Sequence, residues 1–138
     1  MLSFVDTRDR HFRAVCRRII NELPAGETLT LDELIEKAIH TEAPHYYCTY
    51  EYALRMVRVL RHGRLELRRD RRYELWCELS ARCQQLEEKK GWTLPHALSH
   101  VLATGRATQF FITPERARRI LTMTAGPKGA QAADALAG

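Results

Sequence analysis

Long apolar runs, lysine and catalytic signatures are what this sequence has least of. No stretch of eighteen consecutive apolar residues occurs in its 138 residues, so no membrane-spanning helix is readable and no membrane partner is expected. Glycine is sparse, at seven residues, and nowhere forms a Gly-rich phosphate loop. There is no G-x-S-x-G turn and no pair of carboxylates in an apolar setting, so neither an enzymatic activity nor a cofactor is expected. Cys16, Cys48, Cys77 and Cys83 form no C-x-x-C pair and read as reduced, small hydrophobes. His40, His45 and Cys48 lack a convincing further ligand. His96 and His100 stand four apart but without the glutamate of a zinc protease motif, so no metal is expected. The opening residues Met1-Leu2-Ser3-Phe4-Val5-Asp6 lack the basic start and apolar stretch of a secretory signal, and a cytoplasmic location is the default expectation.

What is present is a helical pattern. The composition, 45% apolar and 28% charged, is that of an ordinary folded chain. Phe12, Val15, Cys16, Ile19, Ile20 and Leu23 recur at helical steps and predict a first helix from about Thr7 to Glu22, capped by Asp6 or Thr7. Its other side carries Arg8, Arg10, Arg13, Arg17 and Arg18, tempered by Asp9. Thr30 and Glu33 form a capping box for a second helix ending near His40, with Leu31, Leu34, Ile35, Ala38 and Ile39 on its face. A third helix starts after Thr49 and closes at Gly63. A fourth runs from about Arg71 to Lys90, capped by Asp70, with a wide apolar arc of Tyr73, Trp76, Cys77, Cys83, Leu75, Leu79 and Leu86. A rival hairpin reading pairs Leu65 and Leu67 with Tyr73 and Leu75. Thr93 caps a fifth helix ended by Gly105, Gln109 to Ile112 is a short extended apolar piece, and Thr113-Pro114-Glu115 opens a sixth helix. The fold expected is all-α: a compact bundle of about six helices over residues 1–123, with room for one small β-hairpin. An Ala/Gly-rich tail, 124–138, is expected to be disordered.

Charge is the most informative signal. Eighteen of the 22 basic residues are arginine. Between Arg55 and Arg72 lie eight arginines against Glu66 and Asp70, a local charge of +6 in a chain of net charge +5. Arginine's planar fork matches phosphate and guanine edges, so this cluster suits nucleic acid better than mere solubility does. A solvated face with intrahelical ion pairs is the plainer alternative.

The stretch from Thr28 to Leu67 resembles helix-turn-helix and winged-helix DNA-binding domains. A capped helix, Thr30 to His40, precedes a second, Thr49 to His62, which reads Ala53-Leu54-Arg55-x-Val57-x-x-Leu60-x-x-Gly63-x-Leu65. The intervening loop is longer than the three- or four-residue turn of the simple motif. The resemblance implies duplex DNA as partner and a small regulator or mobile-element accessory protein. Thr49, Glu51, Tyr52 and Arg55 would then approach base edges, and Arg58, Arg61, Arg64, Arg68 and Arg69 would hold phosphates, with Arg71 and Arg72 completing the cluster. Glu51 and Arg55, four apart, also suit an ion pair. Two other functions stay open: a helical scaffold protein using helix four and Phe110-Phe111, and an RNA or single-strand binder using Tyr46, Tyr47, Tyr50 and Tyr52. Because helix four's apolar arc is wide, a homodimer covering its leucine side is expected.

Overall fold

A computed structural model describes residues 3–63 and 71–122, and of Arg71 the backbone alone. Among the described residues there are six helices and no β-strand: α1 (Phe4–Asn21), α2 (Leu31–Ile39), α3 (Tyr50–Arg61), α4 (Arg71–Lys90), α5 (Leu94–Thr104) and α6 (Pro114–Thr122). The all-α expectation holds. Tyr73 and Leu75 lie inside α4, which removes the hairpin that would have used them. Residues 64–70 and the tail from 123 onward, including the expected cap Asp70 and the expected disorder, lie outside the described residues.

The helix boundaries follow from their caps. The Thr30 hydroxyl accepts from the Glu33 amide at 3.2 Å, and the Glu33 carboxylate accepts in return from the Thr30 amide. These bonds also hold the Glu33 carboxyl below its usual range. Thr49, Thr93 and Thr113 each accept an amide of their helix's first turn. α1 departs from the sequence expectation. It starts at Phe4, because the Ser3 hydroxyl accepts from the Asp6 amide at 3.1 Å and so caps one turn earlier than Asp6 or Thr7 would.

The helices form two compact units. The first joins the chain up to Ala43 with the chain from Thr108 on, and contains α1, α2 and α6. Phe12, Val15 and Cys16 of α1 are buried there, with Leu34, Ile35, Ala38 and Ile39 of α2 and Ala117, Ile120 and Leu121 of α6. Phe12 meets Phe110 edge to face at 5.2 Å, and the Phe110 amide donates to the Ile39 carbonyl. Phe110, Phe111 and Ile112 are all buried. A regular extended strand would turn alternate residues outward. Phe111 instead takes a left-handed backbone, φ 54°, a conformation that costs a non-glycine residue about 1–2 kcal/mol. The expected extended piece is therefore kinked, and burial of three large apolar side chains accompanies the strain.

The second unit, Pro44–Ala107, contains α3, α4 and α5. α4 packs against both other helices, which answers its wide apolar arc. Leu75, Trp76, Leu79 and Cys83 are buried in it, with Ala53, Met56 and Val57 of α3 and Ala97, Leu98 and Val101 of α5. Contacts between α3 and α4 run from Tyr52–Trp76 near their starts to Arg61–Ser80 and Arg61–Glu87 further along. The two helices therefore run in the same sense. Leu75 and Leu79, expected to be shared with a second copy, are 4% and 0% exposed within the single chain. Most of the leucine side that motivated a homodimer is thus covered by the chain itself, and Leu86, its third member, is half-buried.

Two outcomes follow. Leu79→Glu places a carboxylate in a fully enclosed apolar site, and a loss of at least about 4 kcal/mol is expected in urea denaturation, enough to abolish cooperative unfolding. A folded, merely monomeric variant would return Leu79 to an intersubunit role. The second outcome concerns alkali. Burial pushes the Cys16 thiol up to about 12 and the Cys48 and Cys83 thiols up to about 11, from a reference of 9.0. A group raised on folding stabilises fully below its unfolded value and loses that contribution as pH climbs through the folded one. Stability should therefore hold up to about pH 9 and fall through pH 11–12, measured by urea midpoints.

Candidate nucleic-acid interface

The start of α3 is fixed by the loop before it. Tyr46 is 3% exposed, and its hydroxyl donates to the Glu78 carboxylate of α4 at 2.6 Å. Burial, followed by this carboxylate, pushes the phenol above its ordinary range. The Arg82 guanidinium lies over the Tyr46 ring, 5.6 Å from its centroid. From this anchor the chain reaches Thr49, whose hydroxyl accepts from the Tyr52 amide and starts the helix.

α3 turns an arginine-bearing face outward. On a 100° wheel Glu51, Arg55, Arg58 and His62 fall within about 60° of one another, and all four are exposed. Among the described residues no ion pair joins Glu51 to Arg55. The Arg55 guanidinium instead sits 5.1 Å from the Tyr52 ring centroid. Tyr52, 39% exposed, meets the fully buried Trp76 edge to face at 5.5 Å. The Arg72 guanidinium lies 5.5 Å from the Trp76 ring. The result is a series across two helices, Arg55–Tyr52–Trp76–Arg72, in which two guanidinium groups flank a pair of rings. The cation–π contact orients the Arg55 guanidinium while leaving its N–H donors available to an acceptor.

Arg61 goes elsewhere. Its Nη1 and Nη2 donate to the two Glu87 carboxylate oxygens at 2.9 and 2.7 Å, Nε donates to the Ser80 hydroxyl at 3.0 Å, and Nη2 also reaches the Ser80 carbonyl at 2.9 Å. This fork holds the Glu87 carboxyl below its ordinary range and raises the Arg61 guanidinium. Arg61 is therefore occupied in tying α3 to α4. Its partner is distant in sequence, but the wheel carries a signal. Arg61 falls between Leu54 and Val57, about 20° from Tyr50, on the apolar side of α3 rather than beside Arg55 and Arg58.

Of the remaining expected residues, Thr49 is a cap and is exposed. Arg64, Arg68 and Arg69 lie outside the described residues, as does the side chain of Arg71. The tyrosine run divides: Tyr46 is buried, Tyr47 and Tyr50 are half-buried, and Tyr52 alone is exposed. Among the described residues no three His, Cys, Asp or Glu side chains gather as a metal site. His96 and His100 both meet Trp92, His96 stacked at 4.0 Å and His100 edge to face at 5.3 Å. Comparison with protein-family models, curated proteins and solved structures finds no match to this chain.

A double-mutant cycle on Arg61 and Glu87 tests the tie. Arg61→Ala is expected to destabilise by about 1–2 kcal/mol, and Arg61→Ala with Glu87→Gln by less than the sum of the singles, leaving a coupling of roughly 1 kcal/mol in urea. The coupling should shrink as pH falls through the depressed Glu87 range, because the carboxylate, ionised above its unfolded value, then takes up its proton. An additive cycle at neutral pH would free Arg61 for another partner.

Proposed function

We propose that this chain binds nucleic acid, with duplex DNA as its partner, through the outward face of α3 and the adjoining start of α4. The observation that carries the reading is the series Arg55–Tyr52–Trp76–Arg72, flanked by the exposed Arg58. Glu51, Tyr52 and Arg55 stand in the first turns of α3, the part of a recognition helix that meets base edges. Arg55 is the candidate for a bidentate bond to guanine, and Arg58 and Arg72 for phosphate. The arginines at 64, 68, 69 and 71 add charge to the same stretch of sequence. The reading rests on α3 and α4 and does not require a helix-turn-helix pairing, for α2 belongs to the first unit and α3 to the second.

Duplex is favoured over single strands because stacking platforms need several exposed rings, and Tyr52 is the exposed one of the four tyrosines. A scaffold role draws little support: Phe110 and Phe111 are buried, and the large exposed apolar side chains among the described residues are Phe4, Val5 and Tyr52.

The test is affinity for duplex DNA across a salt series. About five phosphate contacts on α3 and α4 contribute about −4.5 to the log–log slope. Arg55→Ala should relax discrimination between sequences by roughly 1–3 kcal/mol, whereas Arg58→Ala should weaken all sequences alike. Absent binding at low salt, or a flat dependence, rejects the reading. Tighter binding to single strands than to duplex replaces the partner.

A further inference from the structure

The first unit carries a basic surface that the site on α3 does not use. Residues 10–21 of α1 contain Arg10, Arg13, Arg17 and Arg18 and no acid. With Phe12, Val15 and Cys16 buried, the helix period turns Arg10 and Arg17 directly outward, with Arg13 and Arg18 at the margins. Between them stand Ala14 and Asn21, both exposed and both small, so the middle of the face admits close approach. Arg10 and Arg18 are exposed and Arg17 half-buried, and none of the three has an ion-pair partner among the described residues. Their neighbours are otherwise committed. Arg8 pairs with Asp9 at 2.9 Å, Arg116 approaches the same carboxylate at 3.6 Å, and the Arg13 Nε donates to the Ile120 carbonyl at 3.2 Å.

The composition of this face decides what it fits. The core of a protein interface is poor in charge and is anchored by aromatic or aliphatic side chains. This face has charge and no such anchor. It has no hydrogen-bonding amide or aromatic ring set to discriminate one base from another beyond Asn21 at its far end. Arginines at helical spacing around small residues, with the exposed Asp6 one turn before Arg10 at the near end, suit a row of phosphates, which they can hold without reading sequence. We propose that the outer face of α1 is a second nucleic-acid contact, one that supplies sequence-independent affinity by holding the phosphate backbone. It rests on the reading that the chain binds duplex DNA.

The experiment measures duplex affinity against salt for the full chain, for Arg10→Gln/Arg17→Gln/Arg18→Gln, and for the same three positions changed to Lys. Removing three contacts should flatten the log–log slope by about 2.7, leave the ratio of affinities for two duplex sequences unchanged, and be largely reversed by lysine. Arginine modification by phenylglyoxal on the unaltered chain gives a readout independent of variant folding: duplex should protect Arg10, Arg17 and Arg18. An unchanged slope with unprotected arginines, while the unaltered chain still binds duplex with Arg55-dependent discrimination, overturns this proposal alone. Equal protection by poly-glutamate overturns it in favour of any polyanion. If the unaltered chain binds no duplex, the functional reading fails and this one with it.

Discussion

Tyr46 places a phenol inside the second unit, and its hydroxyl donates a hydrogen bond to the Glu78 carboxylate at 2.6 Å. The order of the candidate interface depends on that hydrogen bond. The stretch before α3 contains Pro44 and no helix, so this anchor sets where the chain arrives at Thr49, while buried Ala53, Met56 and Val57 and the Arg61 fork fix the rotation of α3 itself. Charge-assisted bonds are short and strong, and here the donor is removed from water. The surroundings leave little room for another arrangement. A Cβ added at Gly105 would stand 2.6 Å from the Val101 carbonyl and 3.3 Å from the Tyr46 ring. The missing side chain at Gly105 is thus part of the seat in which Tyr46 lies.

A chain with eighteen arginines has to do something with each of them. Some are spent on architecture: Arg61 on Glu87 and Ser80, Arg8 on Asp9, Arg118 on Asp32, Arg13 on the last turn of α6. Others are turned outward, among them Arg55 beside the Tyr52 ring, Arg58 on the same side of α3, and Arg10 and Arg18 on α1. Structural and surface arginines differ in what surrounds them and, on α3, in the side of the helix they occupy. An internal fork satisfies its N–H groups with carboxylate and carbonyl oxygens, whereas an outward one keeps them for solvent or ligand.

Much of this was legible in the sequence, and the reasons are local. The capping threonines at 30, 49, 93 and 113 each mark a helix start because their hydroxyls bond an amide three residues on. The apolar steps of α2 and α6 gave their buried faces directly. Less legible were features set by distant partners. Arg61 finds Glu87 twenty-six residues away, and Phe111 turns left-handed because its neighbours on both sides are also drawn inward. The leucine side of α4 looked unpartnered because sequence period reveals that a face is apolar but not which helix covers it. The division into two units was invisible for the same reason, since α6 joins α1 and α2 across the whole of the second unit.

That division has a consequence for synthesis on the ribosome. The second unit is one continuous piece of chain, so all its helices are synthesised before α6. The first unit is made from the two ends, and Phe12 cannot meet Phe110 until the whole of Pro44–Ala107 has been translated. At 5–20 residues per second that interval is roughly 3–13 seconds. Through it α1 and α2 hold half of a core, with Phe12, Val15 and Ile35 still lacking α6, while the segment between them has every partner it needs. Vectorial synthesis therefore favours completion of the inserted unit first, and leaves the nascent N-terminal helices as the part of the chain most in need of shielding until the last helix arrives.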